Sequence, residues 1–168
     1  MIVAVLADTH LLPGASLPTA LLRGIAGADL ILHAGDIACL EVLERLAAVS
    51  PLHAVGGNAD PPGLRLPPAR ALRLGPWLVG LTHGSTGPGR DSEERARRAC
   101  PGADVVVFGH SHRPLVARRV GGPLVCNPGS PTRPRGLPPT FALLDLGGRR
   151  PEARLVRLAE VGAGGLRG

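Results

Sequence analysis

Five short apolar runs in this chain each end in residues able to hold a metal ion: Ala7-Asp8-Thr9-His10, Gly35-Asp36, Gly57-Asn58-Ala59-Asp60, His83-Gly84 and Gly109-His110-Ser111-His112. The recurrence constrains the fold more than any single motif does. Apolar strands that deliver polar residues at their ends are how open α/β sheets gather a site along one rim. Asp8 and Asp36 offer carboxylates, Asn58 an amide, and His10, His83, His110 and His112 imidazoles. These oxygen and nitrogen donors suffice for two metal ions that share a bridging carboxylate.

Between those runs the chain alternates strand and helix signals at first. Residues 1–7 are rich in Ile, Val and Leu, as a strand buried on both faces would be. Ser16 can cap a helix to about residue 27, with Leu17, Ala20, Leu21 and Ile25 on one face. A second strand spans 29–34 and a second helix 39–49, with Leu40, Leu43, Leu46 and Ala47 facing inward. Strand 52–56 follows, then a loop rich in Pro and Gly, then a hairpin of 69–74 and 77–82 around Gly75-Pro76.

Asp91, Glu93 and Glu94 open a third helix over 91–100, and Arg95, Arg97 and Arg98 follow, which matches the helix dipole. Strand 103–108 ends at the histidine pair, and the remainder reads as strand and turn: 115–120, 124–126, 140–146 and 152–158. A βα-rich first half and a strand-rich second half predict an α/β (α+β) chain. Two facing mixed β-sheets would be flanked by helices in a four-layer αββα sandwich. One domain over 1–160 with a frayed tail at 161–168 is expected.

Composition narrows the chemistry. No apolar run reaches the roughly 18 to 20 residues of a membrane span, and no basic leader precedes the first strand, so a cytoplasmic protein is expected. Cys39, Cys100 and Cys126 lack Cys-x-x-Cys spacing, which argues against a disulfide framework or a thiolate zinc site. The net charge of +6 favours an anionic partner. Trp77, Phe108 and Phe141 are the only aromatic residues, too few for a platform that stacks single-stranded nucleic acid. Arg113, after the histidine pair, and Arg135, after Asn127-Pro128-Gly129-Ser130, are the candidates to clamp a phosphate with a guanidinium fork.

Singly, each ligand motif is weak: a Gly-Asp is most often a turn, and a strand-end His is most often structural. Their joint order carries the weight. Asp8-x-His10, Gly35-Asp36, Gly57-Asn58, His83 and Gly109-His110-x-His112 together resemble the signature of the calcineurin-like metallophosphoesterase superfamily. His33-Ala34-Gly35-Asp36 and the Asn127-Pro128-Gly129-Ser130 turn followed by Pro134-Arg135 are similar to its small bacterial and archaeal phosphodiesterase branch, relatives of the retromer subunit Vps29.

That resemblance implies one metal on Asp8, His10, Asp36 and His112 and another on Asp36, Asn58, His83 and His110, with Asp36 bridging. Asp36, Asn58 and His83 become the catalytic group. The ligand set suits divalent Mn²⁺, Ni²⁺, Fe²⁺, Co²⁺ or Zn²⁺, with Mn²⁺ favoured by the family's habit. The implied activity is hydrolysis of a small-molecule or nucleotide phosphodiester, and the family's small members leave a homo-oligomer open. The alternative is a weakly active or inactive Vps29-like scaffold. A nuclease would use the Arg excess, but no segment suggests a groove for a polymer.

One departure bears on this choice. Where the superfamily commonly has a His after the Asn, and the small branch a Cys, this chain has Ala59. Alanine donates no proton, so that position cannot assist a leaving group. Asp60 is expected either to substitute or, preferably, to orient a ligand histidine. Thr9, Ser111, His33, His53, Asn127 and Ser130 are expected to serve the structure through hydrogen bonds.

Overall fold

Alternation along the first strand sets the layering. In β1 (Ile2–Leu6), Val3 and Val5 are buried on one face and Ala4 and Leu6 on the other. A strand with no solvent face must lie inside its sheet and be covered on both sides. Val3 and Val5 meet Val79, Leu81, Val105 and Val107 of the opposing sheet, while Ala4 and Leu6 meet helix residues Leu21, Ile25 and Leu46. Each such side chain, fully buried, contributes roughly 1.5 to 3 kcal/mol.

The computed structural model describes residues 1–162. After β1 come α1 (Thr19–Ile25), β2 (Leu30–His33), α2 (Leu40–Ala47), β3 (Leu52–Ala54), β4 (Ala69–Leu74) and β5 (Trp77–Thr82). Then follow α3 (Ser92–Ala99), β6 (Val105–Val107), β7 (Leu115–Arg118), β8 (Leu124–Asn127), β9 (Thr140–Asp145) and β10 (Glu152–Arg157). The first sheet has the order β10-β9-β1-β2-β3 and the second β4-β5-β6-β8-β7.

Strands β1, β2 and β3 run parallel, as do β5, β6 and β8, while β9, β10, β4 and β7 pair antiparallel. Helices α1 and α2 cover the outer face of the first sheet, and α3 covers the second through Ala96 against Val106, Phe108 and Val125. The chain therefore forms the expected αββα sandwich of two mixed sheets, with the C-terminal ends of both parallel sets at one rim.

Several boundaries differ from expectation for physical reasons. Helix α1 starts only after Pro18, with no side-chain cap, and Ser16 is exposed. Pro18 drives the residue before it out of helical conformation, so the helix cannot begin earlier. In α2 the inward residues are Val42 and Leu46, whereas Leu40 is 55% exposed and Ala47 is exposed. Cys39 at the N-cap is buried by the loop before it, which turns the stripe through Cys39, Val42 and Leu46 toward the sheet.

Strands β2, β3 and β6 are shorter than the expected 29–34, 52–56 and 103–108: each gives up its last one or two residues to the rim loops, and β2 and β6 also start later. Helix α3 starts as expected, Asp91 accepting the Glu94 N–H at 2.8 Å. Of the expected frayed tail, Val161 instead packs against the first sheet's helix layer, and residues 163–168 lie outside the described residues.

Candidate metal centre

The rim loops are built from backbone that most residues avoid. Eight non-glycine residues have positive φ among the described residues, and five of them are Asp8 (55°), His10 (43°), Asp36 (56°), His110 (69°) and His112 (56°). Each costs about 1 kcal/mol or more, and such outliers concentrate at functional sites. Asp8 and His10 thus reach the same side by left-handed turns, not by the extended geometry that their spacing suggested. Loop pairing holds them there: the Asp8 N–H donates to Gly35 O and the His10 N–H to Asp36 O, both at 2.9 Å.

Glycine makes the close approach possible. A Cβ at Gly57 would lie 2.1 Å from Asp36 Oδ1, so only glycine lets this loop pass the carboxylate. The Ala59 N–H donates to that same Oδ1 at 2.8 Å. Asp36 Oδ2 is left facing His10 Nε2 and His83 Nε2, each at 3.3 Å.

Around Asp36 the ligand candidates converge. Ligand atoms of Asp8, His10, Asp36 and His112 all lie within 4.8 Å of one another. His112 Nε2 is 3.2 Å from His10 Nε2 and 3.5 Å from Asp8 Oδ1. Around His83, Asn58 Oδ1 is 3.2 Å from its Nε2, and the His110 ring stands edge-on with centroids 5.3 Å apart. His110 also donates its backbone N–H to Asp8 Oδ1 at 3.2 Å. All seven predicted ligands therefore meet at one place, with His110 the least engaged. The Arg113 and Arg135 side chains form no hydrogen bond or ion pair with this group among the described residues; they line a cleft that His112 also borders.

The donor chemistry fits a cation. His83 Nδ1 donates to Ala34 O at 2.7 Å and His112 Nδ1 to Arg133 O at 2.6 Å, so each ring, when neutral, turns a lone pair at Nε2 into the site. Those lone pairs face carboxylate and amide oxygens that are also acceptors. A proton or a metal ion must mediate such contacts. Asp8 Oδ2 is fully buried with no hydrogen-bond partner among the described residues, a costly state that a bound cation would relieve.

Titration follows from the same geometry. Burial pushes the Asp8 carboxyl up to about 7. Burial would also raise Asp36, but the His83 hydrogen bond, the Ala59 N–H and the charges of His83 and His10 bring it down to about 2. Burial lowers His10, His110 and His112 and favours the neutral, ligating form. For His83 burial is outweighed by the hydrogen bond and charge of Asp36 and by the charge of Asp8, which raise it.

Of three supporting features, Asp60 takes a different role from the one expected, Thr132 was not singled out by the sequence, and His33 serves as expected. Asp60 orients no histidine: its carboxylate accepts the N–H groups of Asp36 (2.9 Å), Ile37 (2.6 Å), Ala38 (2.8 Å) and Gly57 (2.8 Å). It is an anchor for the Asp36 loop. Thr132 hydrogen-bonds Thr9 O and Ser130 donates to Asp8 O at 2.7 Å, so the turn after β8 braces the Asp8 loop. His33 accepts the Gly35 N–H at Nδ1, which leaves Nε2–H to donate to Thr9 Oγ1 at 3.2 Å. As expected, it serves the structure. The run Gly57-Asn58-Ala59-Asp60 held a readable signal for Asp60, a carboxylate three residues beyond a glycine turn.

A two-sheet sandwich with a polar ligand cluster at the ends of its parallel strands defines a metal-dependent phosphoesterase class. The chain belongs to the calcineurin-like phosphoesterase superfamily, whose domain model matches residues 1–149. It is 34% identical over 160 residues to a probable metallophosphoesterase of Methanothermobacter thermautotrophicus, covering 94% of this chain and 92% of that one.

Its fold is also that of zinc-complexed Vps29 from Entamoeba histolytica, with TM-score 0.71, 23% identity and coverage of 94% and 99% of the two chains. An archaeal phosphodiesterase superposes with TM-score 0.68 at 21% identity, covering 93% of this chain and 100% of that one. No described helix is long and apolar enough to cross a membrane.

Proposed function

We propose that this protein is a dinuclear metal-dependent phosphodiesterase acting on a small-molecule or nucleotide diester. The observation that carries the reading is that Asp36 Oδ2 meets both His10 Nε2 and His83 Nε2 at 3.3 Å, the first within the cluster of Asp8, His10, Asp36 and His112 and the second in contact with Asn58 and His110. Asp36 would bridge two ions, each site combining oxygen and imidazole donors without thiolate, which suits Mn²⁺, Ni²⁺, Fe²⁺, Co²⁺ or Zn²⁺. We favour Mn²⁺ from the family habit. When bound, the ions would polarise the phosphoryl oxygens and lower the pKa of a water that attacks phosphorus.

The chain's own groups set the remaining steps. His83 and Asn58 hold the second site next to the phosphoryl group. Arg113 and Arg135 bind the anionic substrate from the cleft side. Neither Ala59 nor Asp60 supplies a proton to the leaving group: Ala59 has none to give, and both Asp60 oxygens are occupied by backbone N–H groups. The rate should therefore fall steeply as leaving-group pKa rises, and a flat dependence would refute this.

We read residues 1–160 as one such domain, supported by the core that both sheets share. We also take it to be cytoplasmic, supported by three free cysteines, and leave homo-oligomers to be measured. A Vps29-like scaffold is the second reading, favoured by Ala59. Mn²⁺-dependent hydrolysis of bis-p-nitrophenyl phosphate, compared with p-nitrophenyl phosphate, separates the two. Cleavage of the diester supports the enzyme; bound metal without turnover of either ester supports the scaffold.

A further inference from the structure

Beyond His112 the rim opens into a cleft of about 790 Å³ lined by Arg113, Arg135, Leu137, Leu155 and Arg157. That volume suits a ligand-sized group and far exceeds a single phosphoryl. Its charge is unbalanced. Arg157 is paired with Glu160 at 3.4 Å, but the guanidinium groups of Arg113 and Arg135 have no hydrogen-bond or ion-pair partner among the described residues. Arg135 is held at φ 49° and followed by Gly136 at φ 83°, a strained turn of the kind found at ligand clamps. Leu137 and Leu155 leave 41% and 37% of their surface exposed in the same cleft; no Phe, Tyr or Trp lines it, and its one imidazole, His112, is buried and stacked on His10.

We propose that this cleft selects phosphodiesters whose second ester substituent carries its own anionic group on an aliphatic or sugar stem. The inference rests on the phosphodiesterase reading and adds the substrate class. The phosphoryl charge is met at the metal centre, so the free guanidiniums call for a second anion, and the leucines cover the stem between the two. With no Phe, Tyr or Trp in the cleft and the His112 ring buried against His10, a nucleobase gains little stacking here; recognition is by charge and aliphatic contact.

Two measurements on the full chain test this. With Mn²⁺ present, kcat/KM is compared for p-nitrophenyl 3-phosphonopropyl phosphate and p-nitrophenyl 3-hydroxypropyl phosphate. A preference of about tenfold for the charged ester is expected, carried in KM and lost in the Arg113→Ala/Arg135→Ala double variant. Equal rates on the two esters, or a preference that survives in the double variant, overturn the proposal.

In the metal-free chain, 3-phosphonopropionate is titrated while the arginine Nε–H NMR signals are followed. Shifts of the Arg113 and Arg135 signals are expected, and their absence overturns the cleft assignment. Hydrolysis of bis-p-nitrophenyl phosphate without those shifts sinks only the cleft. Shifts without hydrolysis of any ester sink the enzymatic reading and keep the cleft as an anion site.

Discussion

The two sheets match in strand number but bring different chemistry to the seam between them. Loops from the first sheet carry every oxygen ligand candidate, Asp8, Asp36 and Asn58, together with His10, and of these Asp8, His10 and Asp36 stand in left-handed backbone. Loops from the second carry His83, His110 and His112, two of which have their rings aimed by single hydrogen bonds to backbone carbonyls. Left-handed backbone occurs on both sides, at Asp8, His10 and Asp36 on one and at His110 and His112 on the other; what differs is the four-way grip of Asp60 on the first and the ring orientation on the second. Neither sheet holds a complete site, so the centre exists only when the sandwich is closed, and His83 on Ala34 O is one of the bonds that closes it.

If that division is right, His83→Ala should have the largest effect. It removes an imidazole that touches Asp36 and a bond between the sheets, and a loss of about 10³-fold in diester hydrolysis is expected under Mn²⁺ saturation. Activity within a few fold of wild type would show that the second sheet adds little.

Next comes the grip on the first side. Asp60→Ala strands four N–H groups and frees the Asp36 loop, so metal affinity should fall by about 10- to 100-fold, with a loss of roughly 1 to 3 kcal/mol in denaturant unfolding. Normal affinity in a destabilised protein would reduce Asp60 to a fold element. His33 braces the same loops as a neutral ring: burial lowers it to about 3 in the folded chain, against an ordinary value near 6.5 when unfolded. The unfolded chain then binds more protons between those values, so this group's stabilisation is present above pH 6.5 and lost as pH falls toward 3. Its imidazole ¹⁵N shifts should stay constant from pH 8 to 5; titration near 6.5 would contradict its burial.

The smallest effect tests the helix side of the first sheet. Leu40→Ala should change stability by less than about 0.5 kcal/mol because Leu40 faces solvent, whereas Leu46→Ala should cost about 2 to 5 kcal/mol. Equal costs would put the α2 stripe back on Leu40.

The contrast also explains what could be read from the chain alone. The apolar runs, the Gly75-Pro76 hairpin and the charge order of α3 are local patterns, and each appears where expected because period and turn chemistry act over a few residues. The seven ligand candidates were legible for the same reason: each sits at the end of an apolar run. Asp60 was misassigned and Thr132 overlooked, because three of Asp60's four partners lie over 20 residues away and Thr132's lies 123 away, and all are backbone groups, which a sequence does not display. The left-handed turns at Asp8 and His10 were hidden too, since nothing about Asp or His demands them until the loops are pinned.

In the proposed centre one carboxylate, Asp36, joins two ions held between opposite sheets. The most direct test is metal stoichiometry by mass spectrometry of wild type and Asp36→Asn after equilibration with Mn²⁺. We expect two ions per wild-type chain and neither retained tightly in the variant. A single ion in the wild type, or two in the variant, would contradict the bridging role and with it the account of the seam.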